Sequence, residues 1–377
     1  MKVLTILGTR PEIIRISCVI NRLEKHTNHV LVHTGQNYDY ELNEIFFEEL
    51  GVKKPDYFMS VNTSSLGNVY GGIMIKTEEI LKKEKPDAVL ILGDTNSSIA
   101  GIIAKRMKIP IYHMEAGNRC FDLNVPEETN RRIIDHISDF NLCYTEHARR
   151  HLISEGLPHR RIYVTGSPML EVLMTHMDKI KASNALEKLS VEPKKYFVVS
   201  IHREENVDNS DNFTKLLNAL EQIVEIYQMP VIVSTHPRTR NRLEKLGKKD
   251  ISQKIILMKP FGFFDYVKLQ MQAKCVISDS GTICEESSML NFPAITVRNA
   301  IERPEAMDTG SIVVTGVETD VIVNAIKLQT SEDITKNSVS IPDDYKITNT
   351  SERVIKLILG TAKLSNLWNG IRVNDLS

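Results

Sequence analysis

Short runs rich in β-branched residues alternate with helical runs along almost the whole chain. No other feature limits the fold as strongly. In the first half the strand candidates are KVLTIL, HVLVHTG, DAVLILG, IPIYHME and FNLCYT. Between them RISCVINRLEKH, IFFEELG, VYGGIMIKTEEILKKEK and SSIAGIIAKRM place apolar residues at helical spacing. The second half repeats the grammar, with KYFVVSIH, PVIVSTHP, KIILMKP, KCVISDSG and AITVR as strands and NFTKLLNALEQIVEIY as the clearest helix. Repeated βα predicts mostly parallel sheets with helices on both faces. At 377 residues the chain is too long for one small core. The expectation is an α/β protein of two Rossmann-like, doubly wound domains facing a cleft, with the change of half near residues 166–167.

Composition narrows the ligand. The net charge is −1, so no global field draws in nucleic acid or an anionic membrane. Any anion must be held by a few local cations. Five cysteines (Cys18, Cys120, Cys143, Cys275, Cys284) are scattered without a CxxC pair, which predicts reduced, mostly buried thiols rather than disulfides or zinc. No secretory signal and no apolar run of membrane-spanning length is read.

Ligands of doubly wound sheets bind at the carboxyl ends of strands, so the strand ends carry the chemistry. In GTRPE, Gly8 permits a tight turn, Pro11 suits the first helical position, and Arg10 adds a fork-shaped donor beside a helix N-terminus. The motif is neither GxGxxG nor a Walker loop. Glu12 reads as a helix-start acid. In LILGDTNSS, Asp94 follows a strand, where it can serve as acid or base or cap the next helix. In HMEAGNRCFDLNVPEETNRRIIDH, Glu115 ends a strand, and Glu127 and Glu128 follow Pro126, where acids also suit a first helical turn. Asp94, Glu115 and Glu127 form a set of three acid/base candidates from different strand ends.

The second half offers donors instead. SIHREEN places His202 and Arg203 at a strand end, and STHPRTR places His236 and Arg238 at another. ISDSGTICEES runs a strand into Ser280-Gly281-Thr282 and then a helix with Glu285 and Glu286. The N–H groups of that turn suit a diphosphate, and an acid one turn on suits ribose hydroxyls. A serine cap with first-turn acids is the plainer reading of the same residues. RNAIERPEAMDTG adds Arg298, Arg303 and Glu305 on what reads as a loop. Acids in one domain and diphosphate and ribose binders in the other point to a nucleotide sugar.

GTRPE, GDTNS, MEAG…R…PEE.NR, HR.EN, DSG…EE and ERPEA, taken together, resemble the UDP-N-acetylglucosamine 2-epimerase family. The resemblance covers roughly residues 1 to 310. It implies a glycosyltransferase-B-like pair of Rossmann domains, over 1–166 and 167–355. It also implies a C-terminal helix and tail, 356–377, packing back on the first domain. A cytosolic homodimer acting on a UDP-linked N-acetyl amino sugar is implied as well, with no metal or nicotinamide cofactor. The implied reaction eliminates UDP across C1–C2 to a 2-acetamidoglycal and adds it back after protonation on the opposite face.

With the resemblance added, the expected catalytic residues are Asp94, Glu115, Glu127 and His202. The expected substrate-binding residues are Arg10, Arg15, Arg119, Arg203, His236, Tyr266, Ser280, Gly281, Thr282, Glu286 and Arg303. Among these, Arg10, His202, Ser280 and Gly281 would hold the diphosphate, Glu286 the ribose and Tyr266 the uracil. The commonest bacterial members carry lysine where this chain has Arg15, and an arginine there does not readily give up a proton. GTRPEIIR with NRCFD…VPEE.NRR looks more like the branch that makes UDP-N-acetyl-L-fucosamine from its 2-epimer, for bacterial surface polysaccharide. The alternatives are conversion of UDP-N-acetylglucosamine to the manno sugar, a hydrolysing member of the family, a glycosyltransferase of the same fold, and a catalytically silent sensor.

Overall fold

The computed structural model describes residues 1–35, 40–235, 239–240, 242, 252–332 and 341–371. The apolar runs become strands because helices cover both faces of each sheet. The first sheet holds β1 (Lys2–Leu7), β2 (Asn28–His33), β3 (Tyr57–Phe58), β4 (Ala88–Leu92), β5 (Ile111–Met114), β6 (Phe140–Cys143) and β7 (Ile162–Val164). Their order is β3-β2-β1-β4-β5-β6-β7, with every neighbouring pair parallel. Every side chain of β4 and β5 is buried, as a doubly covered parallel sheet requires. The sheet grows outward in one direction from β1 and in the other from β4. The carboxyl ends of β1 and β4 are therefore its switch point, where such sheets bind ligands.

The second sheet repeats the plan. It holds β8 (Phe197–Ser200), β9 (Val231–Ser234), β10 (Ile255–Met258), β11 (Cys275–Ser278), β12 (Ala294–Thr296) and β13 (Val313–Val314). Their order is β10-β9-β8-β11-β12-β13, again all parallel. Its switch point lies between β8 and β11. The helix Ser210–Tyr227 buries Phe213, Leu216, Leu220 and Ile223 against it, at helical spacing.

The chain forms two compact units, Met1–Thr175 joined by Asp343 onward, and His176–Pro342. The first unit thus extends past the expected 166, into the helix Met169–Ala182, and regains the chain at Asp343 rather than at 356. Hydrogen bonds account for the early return. Thr350 donates to the carbonyls of Thr165 and Ser167, and Glu171 accepts from the N–H of Ser351 at 2.8 Å. The helix Thr350–Trp368 then packs within this unit, its Thr361 hydroxyl 2.6 Å from that of Tyr112. The five cysteines are unpaired and all but Cys18 are buried. Among the described residues no helix is long and apolar enough to cross a membrane, and no cluster of His, Cys, Asp and Glu could hold a metal.

Candidate active site

At the switch point of the first unit a buried acid ties two turns together. Glu12, 2% exposed in the first turn of the helix Arg10–His26, accepts from the N–H groups of Gly8 (2.6 Å) and Thr9 (2.7 Å). Its other oxygen accepts from the hydroxyls of Thr95 (2.7 Å) and Ser97 (2.8 Å), in the turn after β4. Burial pushes its carboxyl above the ordinary value, against these hydrogen bonds. Glu12 is the helix-start acid the sequence suggests, and it also joins the β1 turn to the β4 turn. Arg10, at the start of that helix, lies over the Phe46 ring at 5.9 Å.

Two carboxylates stand at neighbouring strand ends, each with an arginine. Asp94 follows Gly93, whose φ of +75° is the left-handed region that favours glycine, and pairs with Nη2 of Arg131 at 2.9 Å. Glu115 pairs with Arg15 of the first helix. Asn118 also donates to Glu115 at 3.3 Å, and the Tyr144 hydroxyl lies 3.5 Å away. A Cβ placed on Gly93 would lie 3.7 Å from Oε2 of Glu115, so the Glu115 carboxylate adjoins the turn that carries Asp94. Glu115 itself sits at φ +68°, a conformation costing a non-glycine residue on the order of 1–3 kcal/mol.

The helix Pro126–Ile137 supplies the third wall. Glu127 is half-buried in its first turn. Glu128, Arg131 and Asp135 recur at spacings of three and four and share its inner face. Glu128 accepts from the N–H (3.2 Å) and thiol (3.3 Å) of Cys120 and pairs with Arg131 and Arg132. Burial alone would raise its carboxyl, but Cys120 and the arginines hold it below the ordinary value.

Arg119, an expected substrate binder, is 1% exposed and engaged within the fold. Its guanidinium donates to Asp135 (2.7 Å), to the carbonyl of Asn118 (2.6 Å) and to both oxygens of Glu155 (2.8 and 2.6 Å). It fixes the loop after β5 from beneath.

The second unit builds its switch point in the same way. Asp279, fully buried after β11, accepts from the N–H groups of His202 (3.0 Å) and Arg203 (2.9 Å) and from the amide of Asn206 (3.1 Å). It thereby joins the β8 turn to the β11 turn. Nδ1 of His202 lies 3.2 Å from Asp279, and the ring is 40% exposed. Arg203 donates from Nε to the Asp279 carbonyl at 3.0 Å. Ser280, Gly281 and Thr282 form the turn into the helix Ile283–Leu290, with the Ser280 and Thr282 hydroxyls 2.9 Å apart. A Cβ on Gly281 would lie 3.7 Å from Glu302, 3.8 Å from Arg203 and 3.9 Å from Arg298. Glu302 pairs with both guanidiniums, closely with Arg298 (2.6 Å) and more loosely with Arg203 (3.6 Å), which leaves Arg203 beside a helix N-terminus as the donor better placed for an anion.

Other expected binders of this unit are more deeply engaged. Glu286, 6% exposed, accepts from Gln270 at 2.7 Å. Tyr266 is half-buried; burial, then the charges of Glu286 and Asp279, push its phenol up against a hydrogen bond with Ser200. Arg303 is 4% exposed and pairs with Glu285 at the helix start. His236 and Arg238 lie outside the described residues.

The first unit therefore gathers Arg10, Arg15, Asp94 and Glu115 at adjacent turns, with Glu127 on the flanking helix. The second gathers His202, Arg203, Ser280, Gly281 and Thr282. The site residues not singled out from sequence are Arg131, Asp135, His113 and Asp279. Helical spacing of Glu128, Arg131 and Asp135 was the available signal for two of them. Asp279, in a strand-end ISDSG run, was another.

Comparison with known proteins follows the same outline. The profile of the family described as UDP-N-acetylglucosamine 2-epimerase matches residues 21–359. A solved structure described as UDP-N-acetylglucosamine 2-epimerase from Rickettsia bellii is 49% identical, covers 98% of this chain and 99% of its own, and superposes with a TM-score of 0.91. The Methanocaldococcus jannaschii UDP-GlcNAc 2-epimerase, solved in complex with UDP-GlcNAc and UDP, is 34% identical over 96% of this chain and 100% of its own, with a TM-score of 0.89. A Pseudomonas aeruginosa UDP-2,3-diacetamido-2,3-dideoxy-D-glucuronate 2-epimerase is 34% identical over 87% of this chain and 92% of its own.

Proposed function

The chain belongs to the UDP-N-acetylglucosamine 2-epimerase family, and from that premise we propose that it epimerises a UDP-linked N-acetyl amino sugar at C2, forming UDP-N-acetyl-L-fucosamine. The observation that carries the chemistry is the pair of arginine-partnered carboxylates, Asp94 and Glu115, at adjoining strand ends. The C2 proton of such a sugar has no neighbouring carbonyl to acidify it, so direct deprotonation faces too high a barrier. Anti elimination avoids this. One base takes the C2 proton, the C–H electrons form the C1–C2 double bond, and the C1–O pair leaves with UDP. Protonation of the glycal at C2 from the other face, with UDP re-added at C1, gives the epimer.

This route needs acid/base groups on two faces and a grip on the departing diphosphate. Asp94, Glu115 and Glu127 supply the first in this reading. His202, Arg203 and the Ser280–Thr282 turn supply the second, with Arg10 adding charge and Glu286 and Tyr266 directed to the nucleoside. Arg15 pairs with Glu115 as a guanidinium, which does not readily pass on a proton, so its own part in this reading is electrostatic.

The L-fucosamine product rests on the loop between the acids. Asn118 anchors it at Glu115 and Cys120 at Glu128, while Phe121 and Leu123 stand exposed at its tip. An apolar tip suits a 6-deoxy sugar, whose C6 is a methyl group. The second reading is UDP-N-acetylglucosamine as substrate, and what favours it is the substrate named for the Methanocaldococcus structure. Positional isotope exchange tests the mechanism. With 18O in the C1–O–P bridge, elimination predicts scrambling into the non-bridging β-phosphoryl positions. Epimer formed without scrambling would rule it out.

A further inference from the structure

His113 lies within β5, 1% exposed and two residues before Glu115. Its Nδ1 is 2.9 Å from Oδ1 of Asp135, and its Nε2 is 2.9 Å from the carbonyl oxygen of Gly93. Both partners are acceptors. A carbonyl oxygen can only accept. Asp135 is fully buried and already takes Nη1 of Arg119 at 2.7 Å and the N–H of Gly117 at 3.2 Å. These donors and His113 hold its carboxyl below the ordinary value against the effect of burial. The ring thus sits between two oxygen atoms, one at each nitrogen, and links the elements that carry them.

Arg119 pairs with both Asp135 and Glu155, so the buried carboxylate that meets His113 also has a guanidinium partner. These residues also connect the pieces of the proposed site. The Gly93 peptide is held on both sides by β5: its N–H donates to the Met114 carbonyl at 3.0 Å, and its carbonyl accepts from His113. The next residue is Asp94. Asp135 is one helical turn beyond Arg131, the partner of Asp94. His113 is thus tied to Asp94 through Gly93 and to Arg131 through Asp135.

We infer that His113 is a positioning residue for the epimerase reaction, a buried ring that bridges the Gly93 carbonyl and Asp135 and so fixes Asp94 against Arg131. It acts through Asp94 and Arg131, and its effect on turnover rests on the proposal that Asp94 takes part in the reaction. Loss of the bridge displaces Asp94 while leaving the second unit's anion-binding turn untouched.

Two substitutions separate its two contacts. Asparagine places an amide near Nδ1 and keeps the donor to Asp135. Glutamine places one near Nε2 and keeps the donor to Gly93. For folded His113→Asn the expected result is a kcat lowered at least about tenfold with KM within about threefold, because misplacement costs turnover more than binding. His113→Gln recovers most of that loss. The inference is overturned if neither variant loses turnover, or if both lose it equally. Wild-type protein is assayed in parallel on both UDP-sugars. Inactivity of the wild type on both counts against the proposed function, whereas an active wild type with undiminished variants counts against the role of His113 alone.

Discussion

Arg131 reaches Asp94 across the switch point of the first sheet, Nη2 to Oδ2 at 2.9 Å. The arginine comes from a helix 37 residues further along the chain, and it is 4% exposed against 21% for the aspartate side chain. Glu115 and Arg15 repeat the relationship one strand over. The site thus pairs each of two carboxylates with a guanidinium.

Arg131→Ala removes the partner that orients Asp94. Turnover is expected to fall on the order of 100-fold, the usual scale for loss of one preorganised electrostatic contact. Arg131→Lys keeps the charge without the fork and recovers part of the loss. Steady-state kinetics on both variants, with circular dichroism to check folding, measures this.

Arg15→Met leaves Glu115 without its cation in a mostly buried setting and is expected to lower kcat by a comparable factor. Arg15→Lys should remain within about tenfold of the parent, because the charge survives but the planar donor does not. If Arg15→Met turns over as fast as the parent, the pair has no part in the reaction.

Asp279→Asn tests the second unit alone. The buried carboxylate accepts from two backbone N–H groups and Asn206, and an amide meets some of these donors with a donor of its own. A loss on the order of 2–4 kcal/mol in stability is expected. UDP affinity, measured by calorimetry, should fall with it if the turn binds the diphosphate.

His33 gives a pH dependence with a fixed sign. Burial lowers its ring from 6.5 to about 4. The unfolded chain therefore takes up this proton first as pH falls. The contribution is fully present above pH 6.5 and is lost progressively down to pH 4, at most about 3 kcal/mol in all. Urea midpoints across this range should drop on acidification, and His33→Phe should flatten the drop. His29 and His176, also lowered by burial, leave a residual slope.

The βα grammar was legible because doubly buried strands are continuous apolar runs, and all ten strand candidates are strands in the structure. The strands that escaped notice, Tyr57–Phe58, Ile162–Val164 and Val313–Val314, have two or three residues each and lie at or near sheet edges. Such lengths show no periodicity. Asp94 and Glu115 stood out because polar residues at the ends of apolar strands are locally conspicuous. The ion pairs of Arg119 and Arg303 leave no such local mark, because their partners, Glu155 and Glu285, are 36 and 18 residues away in sequence. His113 was hidden inside a strand, its role set by a carbonyl and a carboxylate from two other elements.

Proton NMR of the purified protein in D2O tests the account most directly. One tube contains UDP-N-acetylglucosamine and another the UDP-linked 2-acetamido-2,6-dideoxy-L-talose. The account predicts deuterium at C2 and formation of the 2-epimer in the second tube. Exchange confined to the first tube would contradict the L-fucosamine product and leave an epimerase of the gluco sugar. Retention of the C2 proton in both tubes would contradict the proposed epimerisation of these sugars.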